Sequence, residues 1–258
     1  MNGPALAVQP WPLFVRLLLG HLVGDFVLQW NAVYRWKSQH PRGLALHTAI
    51  VYAAMVLFAG PYRSPFILAL LTAAGVAHYL LDHLKMNWRR YPPALAGFLL
   101  DQAAHVGVIG LVTWLAANAG PAGLRAADRQ VPAPGAPGAA SAEVAWMLGA
   151  SGAIAATYVL EFVGYFLAGP PDGYPAPFRR DMRALVYRLV AYAGGWAAWA
   201  VHPAGLAVGL AAAWLHGRAG GGEAQRRAGE PAPACRPGRW LVPAAALALG
   251  LLAGLPFR

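Results

Sequence analysis

Three apolar stretches of this chain each carry one histidine and one aspartate four residues apart: His21 and Asp25, His78 and Asp82, and Asp101 and His105. A fourth stretch carries His47 near its start. A four-residue spacing puts both side chains of a pair on one helix face. Imidazole and carboxylate suit zinc, manganese, nickel or iron(II) as ligands. An aspartate can also orient a ligating histidine from behind. Seven donors exceed the four of one tetrahedral zinc. Either some support the others, or two metals sit close together. A catalytic metal would keep a position for water and lower its pKa toward neutral, with a spare Asp or His as base. No serine or cysteine is arranged as a nucleophile beside these pairs, and Gly-x-Ser-x-Gly is absent. Attack by water is therefore preferred over covalent catalysis. The expected metal ligands are drawn from His21, Asp25, His47, His78, Asp82, Asp101 and His105. Asp25, Asp82 and Asp101 are the expected catalytic carboxylates, and the cofactor is a divalent transition metal, zinc first and manganese or iron after it. Haem on His47 and His105 is a weaker option, because it leaves the aspartates without a task.

The elements that must position these residues are membrane spans. Of the 258 residues, 58% are apolar and 12% charged, half the charge of an ordinary soluble domain. Disorder is excluded by the hydrophobicity, and a soluble globule by the shortage of charge to cover its surface. At roughly 20 residues per span, apolar runs bounded by Pro, Gly and Arg give seven or eight: 11–30, 43–59, 65–84, 94–117, 144–168, 184–201, 204–216 and 240–255. The fold class expected is an all-α polytopic transmembrane bundle. A four-span core, 1–118, carries the His/Asp site. A flexible Pro/Ala/Gly loop follows over 119–142, then accessory spans five to seven over 143–216, an Arg-rich cytoplasmic linker over 217–239 and a last span over 240–258. The one cysteine, Cys235, allows no disulfide within the chain and no cysteine metal site.

Net charge is +10, but the basic residues lie in short loops and form no basic face with interleaved aromatics, so nucleic acid is not an expected partner. Alternate loops hold fourteen of them: Arg35, Lys37, Arg42, Lys85, Arg89, Arg90, Arg179, Arg180, Arg183, Arg218, Arg226, Arg227, Arg236 and Arg239. The opposite loops and the C-terminus hold Arg63, Arg125, Arg129 and Arg258. The positive-inside rule puts the fourteen in the cytoplasm and both termini outside. Counted at 1.5 Å per residue, all seven donors then fall within about 16 Å of the cytoplasmic side. Each Asp of a pair is the member nearer that side, although chain direction reverses between spans. One polar site open to the cytoplasm is the expected arrangement. The first span has no basic residue before it and holds His21 and Asp25, so it is not expected to be removed as a signal peptide.

Gly20-His21-Leu22-Val23-Gly24-Asp25-Phe26-Val27-Leu28-Gln29 resembles the opening motif, Gly-His-Leu-x-Gly-Asp-Phe-x-x-Gln, of a bacterial membrane family known as domain of unknown function 3307. Leu46-His47-Thr48, the stretch His78 to Lys85, and Leu99 to His105 look like its later motifs in the same order. The resemblance covers about residues 12–110. It implies no established activity. A distant similarity to membrane-bound metal-dependent hydrolases supports the metal reading by analogy only. Glu161 and Arg188 resemble remnants of a family helix pair, interrupted by a proline-rich insert over 169–178.

The first functional expectation is a multi-pass inner-membrane hydrolase, metal-dependent, acting on a lipid-linked or amphiphilic substrate from the cytoplasmic side, with membrane lipids as partners. The alternative is a transporter or a proton or divalent-ion channel, since such relays also use intramembrane Asp and His. A non-catalytic scaffold is the third. Trp11, Trp30, Trp36, Trp88 and Trp240 read as interfacial anchors. Gly149, Gly152, Gly194 and Gly195 read as close-packing positions. Arg16 is expected to snorkel to the interface, and Lys37 and Lys85 to act as topology charges placed to attract an anionic substrate.

Overall fold

The computed structural model describes residues 10–87, 94–119, 139–163, 182–200, 206, 208–215 and 238–253. Trp88, His202-Pro203, Cys235, the side chains of Arg239 and Trp240, most of the Gly120–Ala140 loop, the 169–178 insert and the linker arginines from Arg218 to Arg236 lie outside them. Everything described is helix or short connection, and the chain divides into two compact units, residues 1–147 and 148–258.

In the first unit α1 (Trp11–Leu22) begins at Pro10–Trp11 with a proline in its first turn and runs into a π-helical turn, Val23–Val27, where the Leu28 amide reaches back to the Val23 carbonyl at 2.8 Å. The chain then bends by 87° into α2 (Asn31–Gln39). The charge pattern predicts a loop there. The segment is a helix because Val33 is buried and because Gly43 lets the Trp36–Lys37 backbone lie directly against the next helix, where any Cβ would collide. His40 is extended, as the residue before a proline must tend to be, and Pro41 starts α3 (Pro41–Ala59). A 3₁₀ turn at Gly60–Tyr62, entered through positive φ at Gly60, leads to α4 (Pro65–Asn87), and α5 (Ala94–Asn118) follows. These helices match the expected first four spans to within a few residues, apart from the early end of the first.

Contacts run α1–α3, α3–α4, α4–α5 and α5–α1, closing a four-helix ring. Its apolar interior is Leu13 and Leu17 of α1, Val51, Met55 and Ala59 of α3, Ile67, Leu71 and Ala74 of α4, and Ile109, Val112 and Ala116 of α5. Outward positions are also apolar: Leu57 is 68% exposed, Val76 57% and Leu100 64%. A molecule with ionisable groups inside and leucines outside is arranged for a lipid surround. Among the described residues four helices, Pro41–Tyr62, Pro65–Asn87, Leu95–Asn118 and Glu143–Val163, are long and apolar enough to cross a membrane, or five with the bent pair of α1 and α2.

Arg16 does not simply reach for the interface. It donates to the Phe58 carbonyl at 3.2 Å, at the C-terminal end of α3, pairs with Glu143 and lies over the Tyr62 ring. Glu143 belongs to α6 (Ala139–Ile154), which continues through a second π turn, Ala155–Val159.

In the second unit α7 (Met182–Ala200) packs on α8 (Gly238–Ala253), and Gly195 and Gly250 allow backbone-to-backbone contact there. Gly152 faces the Tyr192 ring, whereas a Cβ on Gly149 would meet nothing, so close packing explains only part of the expected glycine set. Arg188 and Glu161 form a buried ion pair at 3.2 Å.

Candidate metal centre

The site is built on the same inward stripes as the apolar core. Along α1 the four-residue series Leu13, Leu17, His21 passes from hydrocarbon to imidazole, and Asp25 follows on the π turn. On α3 the series Met55, Val51, His47 does the same, on α4 Leu71 and Ala74 give way to His78 and Asp82, and on α5 Ile109 is preceded by His105 and Asp101. Each side chain occupies a core position, so all seven are buried by the packing that buries the leucines. The sequence places them one to a turn, and the ring closure brings them together.

Two glycines set the closest approach. A Cβ on Gly24 would lie 2.6 Å from Val51 Cα, and one on Gly20 would lie 2.9 Å from Met55 Cα. This small-xxx-small face lets α1 press onto α3, and it delivers Asp25 Oδ1 to 3.1 Å from His47 Nε2. The same nitrogen lies 3.3 Å from His78 Nε2 and 3.4 Å from Asp82 Oδ2, and His78 Nε2 lies 3.8 Å from Asp82 Oδ2. Donors bound to one tetrahedral zinc at 2.0–2.1 Å would stand about 3.3 Å apart. The observed spacings bracket that value. Two donor groups, Asp25–His47–His78 and His78–Asp82–His105, each gather ligand atoms within 4.8 Å of one another and could hold a metal ion.

The imidazoles form one cluster. The ring centroids of His78 and His105 are 4.3 Å apart, His21 and His105 5.1 Å, His47 and His78 5.3 Å, and His21 and His78 5.5 Å. Four of their ring nitrogens, His21 Nε2, His47 Nδ1, His78 Nδ1 and His105 Nε2, are buried with no hydrogen-bond partner. Polar atoms buried in this way call for an explanation, and a cation is one that His105 Nε2, on a ring of the second donor group, would fit. For His105 the tautomer follows from its partner. Nδ1 lies 2.8 Å from the Asp101 carbonyl oxygen, which can only accept, so Nδ1 carries the proton and Nε2 presents its lone pair to the cluster.

Three residues complete the site beyond the expected seven. Lys37 of α2 reaches Asp82 Oδ2 at 3.2 Å, and Lys85 reaches Asp101 Oδ2 at 2.5 Å. Both are thus partners of site carboxylates and more than topology charges. Gln102 donates to Asp101 Oδ2 at 3.1 Å and touches Asp25 Oδ2 at 3.5 Å. The signal for Lys85 lies in its position, three residues after Asp82 on the same helix face. Lys37 gives no such signal, since its approach depends on the bend before α2. His21 and Asp101 stand outside both donor groups: His21 Nε2 is 4.0 Å from Asp25 Oδ2, and Asp101 is held by Lys85 and Gln102.

An all-α bundle with a buried cluster of histidines and aspartates able to take a metal ion is the class that fold and site define. Residues 13–123, which span this bundle, match a family described as "Protein of unknown function (DUF3307)". The four motifs from Gly20 to His105 lie inside that match, and Glu161 and Arg188 lie outside it. No curated protein and no solved structure matches the chain.

Proposed function

We propose that the protein is a multi-pass protein of the inner membrane and a metal-dependent hydrolase whose substrate is lipid-linked or otherwise amphiphilic. The observation that carries this reading is the convergence of Asp25 Oδ1, His78 Nε2 and Asp82 Oδ2 on His47 Nε2 at 3.1–3.4 Å. Imidazole and carboxylate donors favour zinc, manganese or iron(II). Asp25, His47, His78 and Asp82 would hold the ion, with His105 Nε2 as the further donor beside His78. A divalent cation there supplies Lewis acidity toward water and toward the oxygen of a scissile bond. His21 is the proton acceptor, its Nε2 turned toward Asp25 Oδ2 and not yet hydrogen-bonded. Asp101 is held between Lys85 and Gln102 and fixes the His105 ring through its carbonyl. The seven His and Asp side chains are buried within the apolar bundle, which limits their contact with bulk water.

Charge counting supports eight spans, with Lys37 and Lys85 at the cytoplasmic side and both termini outside. Helix α2, bent by 87° from α1 and carrying exposed Trp36 beside Arg35, suits the interface plane. The test is elemental analysis of protein purified without a histidine tag, followed by lipid profiling of a deletion strain carrying wild type or His78→Ala. The expected result is at least about one divalent transition metal per chain and a lipid species that accumulates unless wild type is present. Protein that neither retains nor takes up metal overturns the reading. Metal-driven flux into liposomes that Asp82→Asn abolishes would assign transport instead.

A further inference from the structure

Beside the donor cluster lies a cleft of about 410 Å³, within the size range of small-molecule sites. It is walled by the end of α2, the start of α3 and the end of α4. Among the described residues its polar lining is Lys37, Ser38, Gln39, His40, His83 and Asn87, with no acidic side chain. The floor includes Leu44, so the positive end of the α3 dipole borders it as well. An adjoining cleft of about 450 Å³ shares His40 and Pro41 and adds Trp36 and Arg42. Lys37 belongs to both the first cleft and the metal centre. An ammonium carries three protons, and one is directed to Asp82. The others are left to serve a second acceptor. His83 is stacked on Tyr79 and hydrogen-bonded to Asn87, which fixes its ring at the cleft wall.

We propose that this cleft binds a phosphate-type anion, the head of an amphiphilic phosphomonoester, with Lys37, His40 and His83 as its cationic and hydrogen-bonding contacts. Lys37, His40 and His83 line one cavity from three helix ends with no acidic side chain among its described lining, Lys37 sharing its charge with Asp82 beside the cleft, which suits an oxyanion with several acceptor oxygens. The Trp36–Arg42 cleft beside it suits the less polar part of such a molecule. Only the fate of the anion once bound rests on the hydrolase reading, because the cleft residues are distinct from the metal donors. A lipid head and a soluble phosphate ester offer the same group, and the test separates them.

Full-length protein in neutral detergent, stripped with chelator, is titrated with dihexanoyl phosphatidic acid, glycerol phosphate and dihexanoyl phosphatidylcholine, with metal content measured in parallel on untreated protein. Phosphatidic acid should bind, and phosphatidylcholine should bind at least about tenfold more weakly, the value of one charge-assisted hydrogen bond. Glycerol phosphate as tight as the lipid would assign a soluble ester as the source of the anion. Lys37→Gln and His83→Gln should each weaken binding about tenfold, and Arg63→Gln, at the opposite end of α4, should not. His83→Gln keeps the test decisive if Lys37→Gln disturbs folding. Absence of anion binding, or binding indifferent to His83→Gln, overturns the proposal. Anion binding by a protein that holds no metal sinks the hydrolase reading alone.

Discussion

Replacing Gly24 by alanine should open the metal centre without touching any donor. The new Cβ would stand 2.6 Å from Val51 Cα, backbone that cannot rotate away. Ordinary carbon contacts need about 3.5–4.0 Å, so α1 must retreat by about 1 Å. Asp25 is the next residue, and its Oδ1 would move from 3.1 Å to about 4 Å from His47 Nε2. Metal–donor distances tolerate about 0.2 Å, so Asp25 would cease to be a ligand. Metal affinity should fall at least 10–100-fold, the roughly typical cost of disturbing even a supporting residue. Overpacking alone should cost about 1–3 kcal/mol of stability. Gly20→Ala meets Met55 Cα at 2.9 Å and acts one turn farther from Asp25, so its effect on metal should be smaller. Gly107→Ala and Gly110→Ala meet nothing within 4 Å and should be neutral or slightly stabilising. Zinc competition against a chromophoric chelator, with thermal unfolding in detergent, ranks the four. Equal zinc affinity in Gly24→Ala and Gly107→Ala would refute the reasoning that the α1–α3 contact sets the site.

Asp25→Ala and His47→Ala should be non-additive in unfolding measurements, with a coupling of about 1 kcal/mol or more, because both would serve one ion; additive losses would mean separate local contacts. Chelator should lower the wild-type melting temperature and leave Asp25→Ala little changed, since metal at a thousandfold excess over its dissociation constant contributes about 4 kcal/mol. Arg16→Ala should cost roughly 2 kcal/mol through the lost Phe58 carbonyl contact and the Glu143 pair, yet keep zinc affinity; a zinc defect equal to that of Gly24→Ala would tie the two ends of α1 together. Arg188→Leu should destabilise by about 3 kcal/mol or more, and adding Glu161→Leu should restore part of it, as expected when a buried pair at 3.2 Å loses one partner or both; a double variant worse than the single would argue against the pair as the main cost.

The seven buried His and Asp residues are legible in the sequence because each is an ionisable residue in an apolar helix, where its cost makes it stand out, although His21 and Asp101 stand outside the two donor groups. Their convergence is legible as well, since depth and spacing repeat across helices running in opposite directions. The helix bounds follow from Pro41, Pro65 and the apolar runs. The close contact of α1 on α3 is within reach, as Gly20 and Gly24 stand four apart, but both sit inside a motif whose histidine and aspartate draw the eye. Helix α2 is not legible. Nine residues with Arg35 and Lys37 among them are too few for a periodicity to show, and the helix is held by packing through Gly43 that only the tertiary structure reveals. The role of Lys37 is hidden for the same reason.

The π turn at Val23–Val27 has a consequence for how this stretch of chain can change. A turn closed by a five-residue step holds one residue more than its α-helical counterpart, so the place of Asp25 is set by an insertion, not by a substitution. Deleting Val23 or Gly24 would let α1 continue as a regular helix and turn Asp25 by about 100° about its axis relative to His21. Asp25 would leave its place beside His47, while the chain beyond the turn would keep its direction and Lys37 its approach to Asp82. A single codon's length thus decides the place of an acidic donor separately from the direction of the helix that follows. Point substitutions in this segment act on one contact at a time, and deletion of Val23 should remove the Asp25 donor while keeping the Lys37 partner, visible as loss of zinc binding with α2 protection in hydrogen exchange retained.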